Sequence, residues 1–256
     1  MTQKVPLGHI NFTLASATEA PHNLIKAAVG LKENGMAVNF ANAYTIALAR
    51  ADESYRQVLN MSAFVFADGR PVAWMSRLLH RAPHLHQVRG PEFFRDVFRI
   101  AESGDIRHYL LGSTPDVLEK LVSNLKRDFP HAAIVGSYSP PFRSMTQEEL
   151  AAQDSAIESS GANVVWVGLG TPKQDLEVAR LASSLPVVAV AIGAAFDFSA
   201  GTKREAPRWL SPLGLEWTFR LITEPRRLWK RYLFGNIGFV KACIEQKLKR
   251  EVSGRA

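Results

Sequence analysis

Four short segments of this chain carry side chains that could do chemistry. Ala67-Asp68-Gly69-Arg70-Pro71 follows an apolar run. A carboxylate there would face a ligand and could take a proton from an attacking hydroxyl; Asp-Gly also makes an ordinary turn or helix cap. Val167-Gly168-Leu169-Gly170-Thr171-Pro172-Lys173-Gln174-Asp175 reads as strand, glycine turn and helix start. Backbone N–H groups at such a helix start favour an anion, and Lys173 would add charge. A tight turn with Pro172 at the helix start is the plain alternative. Phe196-Asp197-Phe198-Ser199-Ala200-Gly201 offers Asp197 to sugar hydroxyls, or as a cap. Gln87-Val88-Arg89-Gly90-Pro91 offers Arg89 to a pyrophosphate, or to solvent.

Other chemistries find less support. Gly168-x-Gly170 lacks the third glycine of a dinucleotide fingerprint, because Lys173 stands there. This leaves a dehydrogenase as a weak reading. His80, His84 and His86 come without a zinc-ligand spacing, so no metal is expected. Ser62, Ser113 and Ser199 lack the nucleophile elbow of a serine hydrolase.

The elements that must position these residues alternate. Apolar runs at Met36 to Phe40, Ala63 to Ala67, His108 to Leu111, Ala132 to Val135, Asn163 to Val167 and Val187 to Ile192 read as strands. Helical patterns lie between them: Asn42 to Arg50, Val72 to Leu79, Glu92 to Glu102, Thr114 to Asp128, Thr146 to Ser159 and Lys173 to Ser183. Thr114 with Pro115 and the Thr146-Gln-Glu-Glu149 capping box mark two of the helix starts. The pattern predicts an α/β fold, a Rossmann-like, doubly wound and mostly parallel sheet. Ligands of such sheets sit at the carboxyl ends of the strands. Asn42, Asp68, Gly112, Gly168 to Gln174 and Asp197 all fall there.

After Gly201 the pattern changes. Pro207, Pro212 and Pro225 predict short helical pieces. Trp209, Trp217, Phe219, Trp229, Tyr232, Phe234 and Phe239 interleave with Arg208, Arg220, Arg226, Arg227, Lys230 and Arg231. Residues 203–256 carry a net charge of +8 and residues 1–202 a net −1, of the +7 total. We therefore expect a catalytic domain over 1–202 and a basic-aromatic helical appendage over 203–256. Such a tail suits a membrane surface, single-stranded nucleic acid, or a core with solvated arginines. A non-enzymatic nucleic-acid or lipid binder is the rival to an enzyme. The single Cys243 rules out an internal disulfide and fits a reducing compartment. The start of the chain is not a convincing signal peptide, and no run approaches a membrane span. Pairing of two subunits through the helix faces stays open.

Taken in order, the segments resemble the WecG/TagA/CpsF glycosyltransferase family. The matching residues are Asn42-Ala43, Ala67-Asp68-Gly69, Val88-Arg89-Gly90, Leu110-Leu111-Gly112, Val167 through Gln174, Phe196-Asp197 with Gly201, Ala206-Pro207, Gly214-Leu215-Glu216-Trp217 with Arg220, and Pro225-Arg226 through Arg231-Tyr232. The resemblance spans about residues 38–232. It implies a UDP-sugar donor and inverting transfer to an undecaprenyl-diphosphate-linked glycan, as in cell-surface polysaccharide synthesis, with no cofactor, metal or nucleic acid. It makes Asp68 the base. It implies donor or phosphate contacts from Asn42, Arg89, Gly112, Gly168, Gly170, Lys173, Gln174 and Asp197. It makes Arg220, Arg226, Arg227 and Arg231 candidates for the acceptor diphosphate or the membrane. The tail would hold a cytoplasmic protein on the inner face of the cell membrane. Three positions depart from the family pattern: Phe40 replaces a threonine of some members, Asp175 a glutamate, and Glu205 an arginine.

Overall fold

The computed structural model describes residues 2–80, 82–101, 104–211 and 213–253. The chain opens on an antiparallel hairpin of β1 (Lys4–Leu7) and β2 (Ile10–Thr13), followed by α1 (Glu19–Val29). Then come β3 (Met36–Ala41), α2 (Ala43–Ala51), α3 (Glu53–Met61), β4 (Phe64–Ala67), α4 (Arg70–Leu79) and α5 (Gly90–Ile100). The alternation continues through β5 (Arg107–Gly112), α6 (Pro115–Asp128), β6 (Ala133–Tyr138), α7 (Gln147–Ser159), β7 (Val164–Gly168), α8 (Lys173–Ser184) and β8 (Val188–Ala191). It closes with α9 (Ala195–Ser199), a 3₁₀ turn at Arg208–Leu210, α10 (Glu216–Thr223) and α11 (Pro225–Ser253).

Six strands form one parallel sheet in the order β4-β3-β8-β7-β5-β6, flanked by helices. The α/β class expected from the alternation is the class observed. The local signals act as read: Thr114 caps α6 through Val117 N–H, and Thr146 with Glu149 forms a complete capping box on α7.

Other features depart from the sequence reading. The hairpin and helices α1, α3 and α9 were not anticipated. The tail begins as the short pieces expected, at Arg208–Leu210 and Glu216–Thr223, but α11 then runs 29 residues without a break. Pro225 opens that helix rather than interrupting one, because a first-turn proline has no N–H to leave unpaired. Gly235 and Gly238 each cost about 1 kcal/mol of helix propensity. Their position compensates, since both lie against α2. A Cβ on Gly238 would stand 2.6 Å from Ala47 Cβ, and one on Gly235 3.2 Å from the Tyr44 ring. Glu102, Pro212 and residues 254–256, all part of the sequence reading, lie outside the described residues, as does the side chain of Arg208.

Contacts divide the chain into two units, with the boundary inside β3. The first comprises residues 1–16, 40–89 and 205–256. Its core gathers Leu7, Ile10 and Phe12 of the hairpin with Ile46, Leu59 and Val65, and with Phe239, Ala242 and Cys243 of α11. Polar ties add to this docking of α11. Glu245 binds Arg50 and His9, and Gln246 accepts from Gly8 N and donates to Pro6 O. The second unit comprises residues 17–39 and 90–204. Val165, Val167, Ala189 and Ala191 of its strands pack with Ile157, Val178 and Leu181 of its helices. Buried there too is His108, stacked on Phe98 at 3.9 Å, its Nδ1 accepting from Trp166 Nε1 at 3.1 Å. Burial lowers its pKa to about 3, so this imidazole is neutral.

Candidate active site

In the first unit, β4 ends at Ala67 and delivers Asp68 to the mouth of a cavity of about 340 Å³. Backbone bonds fix the delivery: Asp68 N–H donates to Ala41 O at 3.0 Å, and Val88 N–H to Ala67 O at 2.8 Å. Gly69, at φ +90, turns the chain out of the strand and into α4. That conformation favours glycine, which explains why the aspartate is followed by one.

Asp68 shares the cavity lining with Asn42, Tyr44, Gln87, Glu216, Trp217, Arg220, Arg231 and Tyr232. Its pKa is raised to about 6. Burial is the main cause and the nearby Glu216 carboxylate adds to it, while Arg89, Arg220 and Arg231 oppose the shift. A carboxylate poised near neutrality can accept a proton in its ionised form and still hold it.

Arg220 and Arg231 lie close enough to interact. Burial first, then the Arg220 charge, pushes the Arg231 pKa down. Arg231 is seated over the Tyr44 ring at 4.5 Å, and burial raises the Tyr232 hydroxyl. Two guanidiniums converging in one cavity form a site for a doubly charged anion, such as a diphosphate.

Asn42 and Arg89 are both engaged within the first unit. Asn42 caps α2, its Oδ1 accepting from Tyr44 N and Thr45 N. Arg89 is buried and bridges Glu205 at 3.2 Å and Glu216 at 2.9 Å. Glu205, where the family carries arginine, thus anchors a cation. Phe40 is buried and packs its ring on Phe66 at 5.6 Å, so its bulk goes to the core. Arg226 and Arg227 lie on the exposed first turn of α11, where Arg227 pairs with Glu224 at 2.9 Å.

The remaining anticipated residues lie in the second unit. Gly112, at φ +124, is packed against the Gly168 backbone, where a Cβ would meet atoms at 2.7 Å. A Cβ on Gly168 would strike the Phe196 ring at 2.5 Å. Gly170 is exposed at φ +78, and its N–H donates to Gln174 Oε1 at 2.9 Å. Lys173 is exposed at the start of α8, whereas Gln174 and Asp175 are buried. Asp197 accepts from Lys203 Nζ at 2.8 Å.

Several cavity residues were missed: Tyr44, Gln87, Arg70, Asn236, Phe239 and Val240. Four of the tail residues carry a readable signal. Tyr232, Asn236, Phe239 and Val240 recur at helical spacing, visible only once α11 is read as one helix.

A parallel α/β sheet whose strand end presents a near-neutral carboxylate to paired guanidiniums suits an enzyme of group transfer. Over residues 5–253 the chain matches the Glycosyl transferase WecG/TagA/CpsF family, and it belongs to that family. It is therefore a glycosyltransferase of polysaccharide synthesis, not a non-enzymatic binder. One similar protein is the N-acetylglucosaminyldiphosphoundecaprenol N-acetyl-beta-D-mannosaminyltransferase of Bacillus subtilis (strain 168). The two are 31% identical over 200 residues, 78% of this chain and 75% of the relative. The protein of the same name from Bacillus spizizenii (strain ATCC 23059 / NRRL B-14472 / W23) is 31% identical over 186 residues, 72% of this chain and 70% of the relative. Among the described residues, no helix is long and apolar enough to cross a membrane.

Proposed function

We propose that this protein transfers a sugar from a UDP-sugar, with inversion, to an N-acetylglucosamine carried on undecaprenyl diphosphate. The observation that carries the reading is Asp68, a near-neutral carboxylate beside Arg220 and Arg231 in one cavity. The acceptor class follows the names of the two relatives. In the step, Asp68 takes the proton of the acceptor hydroxyl as its oxygen bonds to the anomeric carbon. The bond from that carbon to UDP breaks on the opposite face, and UDP leaves with the electron pair. The base supplies about 10²–10⁴-fold and charge stabilisation much of the remainder. The β linkage in the relatives' names accords with inversion of an α-configured donor. Arg220 and Arg231 bind diphosphate. The basic segment over 203–256 keeps the protein peripheral on the inner face of the membrane.

The test is incubation with a panel of UDP-sugars and lipid-diphosphate-linked N-acetylglucosamine, read by UDP release and product mass. One donor giving an acceptor-dependent product, lost in Asp68→Asn, is the expected result. UDP release independent of acceptor, or full turnover by Asp68→Asn, contradicts the reading.

A further inference from the structure

The cavity beside Asp68 is lined by polar and apolar side chains together. Its apolar lining includes Trp217, Tyr232, Phe239 and Val240, the last three from α11. Val240 is also 46% exposed, and so belongs to a second feature. Along α11 the exposed large apolar side chains are Phe234 and a series of six: Trp229, Leu233, Ile237, Val240, Ile244 and Leu248. Their steps of four, four, three, four and four residues keep them on one face of the helix. At 1.5 Å per residue the stripe is about 28 Å long. It reaches the cavity at Val240, which both lines the cavity and is exposed at the outside of the protein.

The spacing bears on what covers this stripe. Its mean step of about 3.8 residues exceeds the 3.5 of a left-handed coiled-coil seam. A second copy of α11 laid alongside would have to supercoil to the right rather than to the left. A thin flexible chain needs no such supercoiling. The cavity end fixes the chemistry of that chain, since Arg220 and Arg231 call for an anion at its head. A molecule with a diphosphate head and a branched hydrocarbon tail fits both parts.

We infer that the α11 stripe is the seat of the acceptor's own prenyl chain, which leaves the cavity past Val240 and lies over Ile237 and Ile244. The inference rests on the proposed acceptor. The stripe makes the enzyme select for lipid as well as for sugar, and it does so without a bilayer.

The test uses N-acetylglucosaminyl diphosphates bearing ten-, fifteen- and twenty-carbon prenyl chains, kept monomeric, without detergent or vesicles. For the unaltered protein kcat/KM rises with chain length by at least about tenfold, mostly through KM, as each buried methylene adds affinity. In Ile237→Asn/Ile244→Asn the rise shrinks to less than about threefold. Each single variant, checked by its melting temperature, loses part of it. Ile222→Asn, exposed on α10 and off the stripe, keeps the full rise. A flat response of the unaltered protein overturns the inference while leaving the glycosyl transfer standing. So does a double variant that keeps the rise but no longer sediments with anionic vesicles, which would make the stripe a bilayer face. Absence of turnover with every acceptor overturns the functional reading and this inference with it.

Discussion

The carboxylates Asp68 and Asp197 sit in similar sequence settings, each just past an apolar strand, yet their surroundings differ. Asp68, in the first unit, faces a cavity. Burial and Glu216 raise its pKa to about 6 against the pull of three arginines. Asp197, in the second unit, pairs with Lys203 at 2.8 Å. Nearby, the glycine turn spends one of its N–H groups on Gln174. Asp68 is held away from its usual ionisation, whereas Asp197 has an ion-pair partner.

Breaking each side of this contrast has consequences of different size. Asp68→Asn is expected to lower kcat by about 10²–10⁴-fold, with donor affinity, measured by calorimetry, largely kept. Gly168→Ala acts on packing. It drives a Cβ toward the Phe196 ring and is expected to cost about 1–3 kcal/mol in urea unfolding.

Titration sharpens the comparison. Asp68 has a folded pKa above its unfolded one, so its protonated form favours folding. That contribution is full below about pH 4 and lost as pH rises through about 6. Asp68→Asn should therefore be more stable than the unaltered protein above pH 6, by about 1–2 kcal/mol after allowance for solvent screening, with the gain vanishing near pH 4. His108 of the second unit has the opposite sign. Its depressed pKa gives stability that is full above about pH 6.5 and declines toward pH 3. The acid loss from His108 should thus be steeper in the Asp68 variant, because nothing offsets it. The smallest effect belongs to the Asp197–Lys203 pair. Lys203→Ala should shift chemical unfolding by under about 1 kcal/mol.

Much of the fold was legible because its signals are local. Apolar runs, the Thr114 cap and the Thr146–Glu149 capping box each act within a few residues. The place of Asp68 at a cavity was legible because the strand ends of a parallel sheet are where ligands of such folds sit. The rest depended on contacts far apart in sequence. Whether Pro225 ends a helix or starts one is decided by the residues C-terminal to it, and Gly235 and Gly238 read as breakers until α2 is seen against them. Glu205 looked like a lost arginine, but it binds Arg89, more than a hundred residues away in the chain. Part of the apolar lining of the cavity came from α11, whose aromatic residues alone did not say which face they shared.

The central claim is that Asp68 is the base, tuned by its neighbours. The most direct test is kcat/KM against pH for the unaltered protein and Glu216→Gln. The account predicts an acid limb near pH 6 that moves to lower pH in the variant, because Glu216 raises the Asp68 pKa. An acid limb at the same pH in both proteins, or none near pH 6 in either, would contradict it.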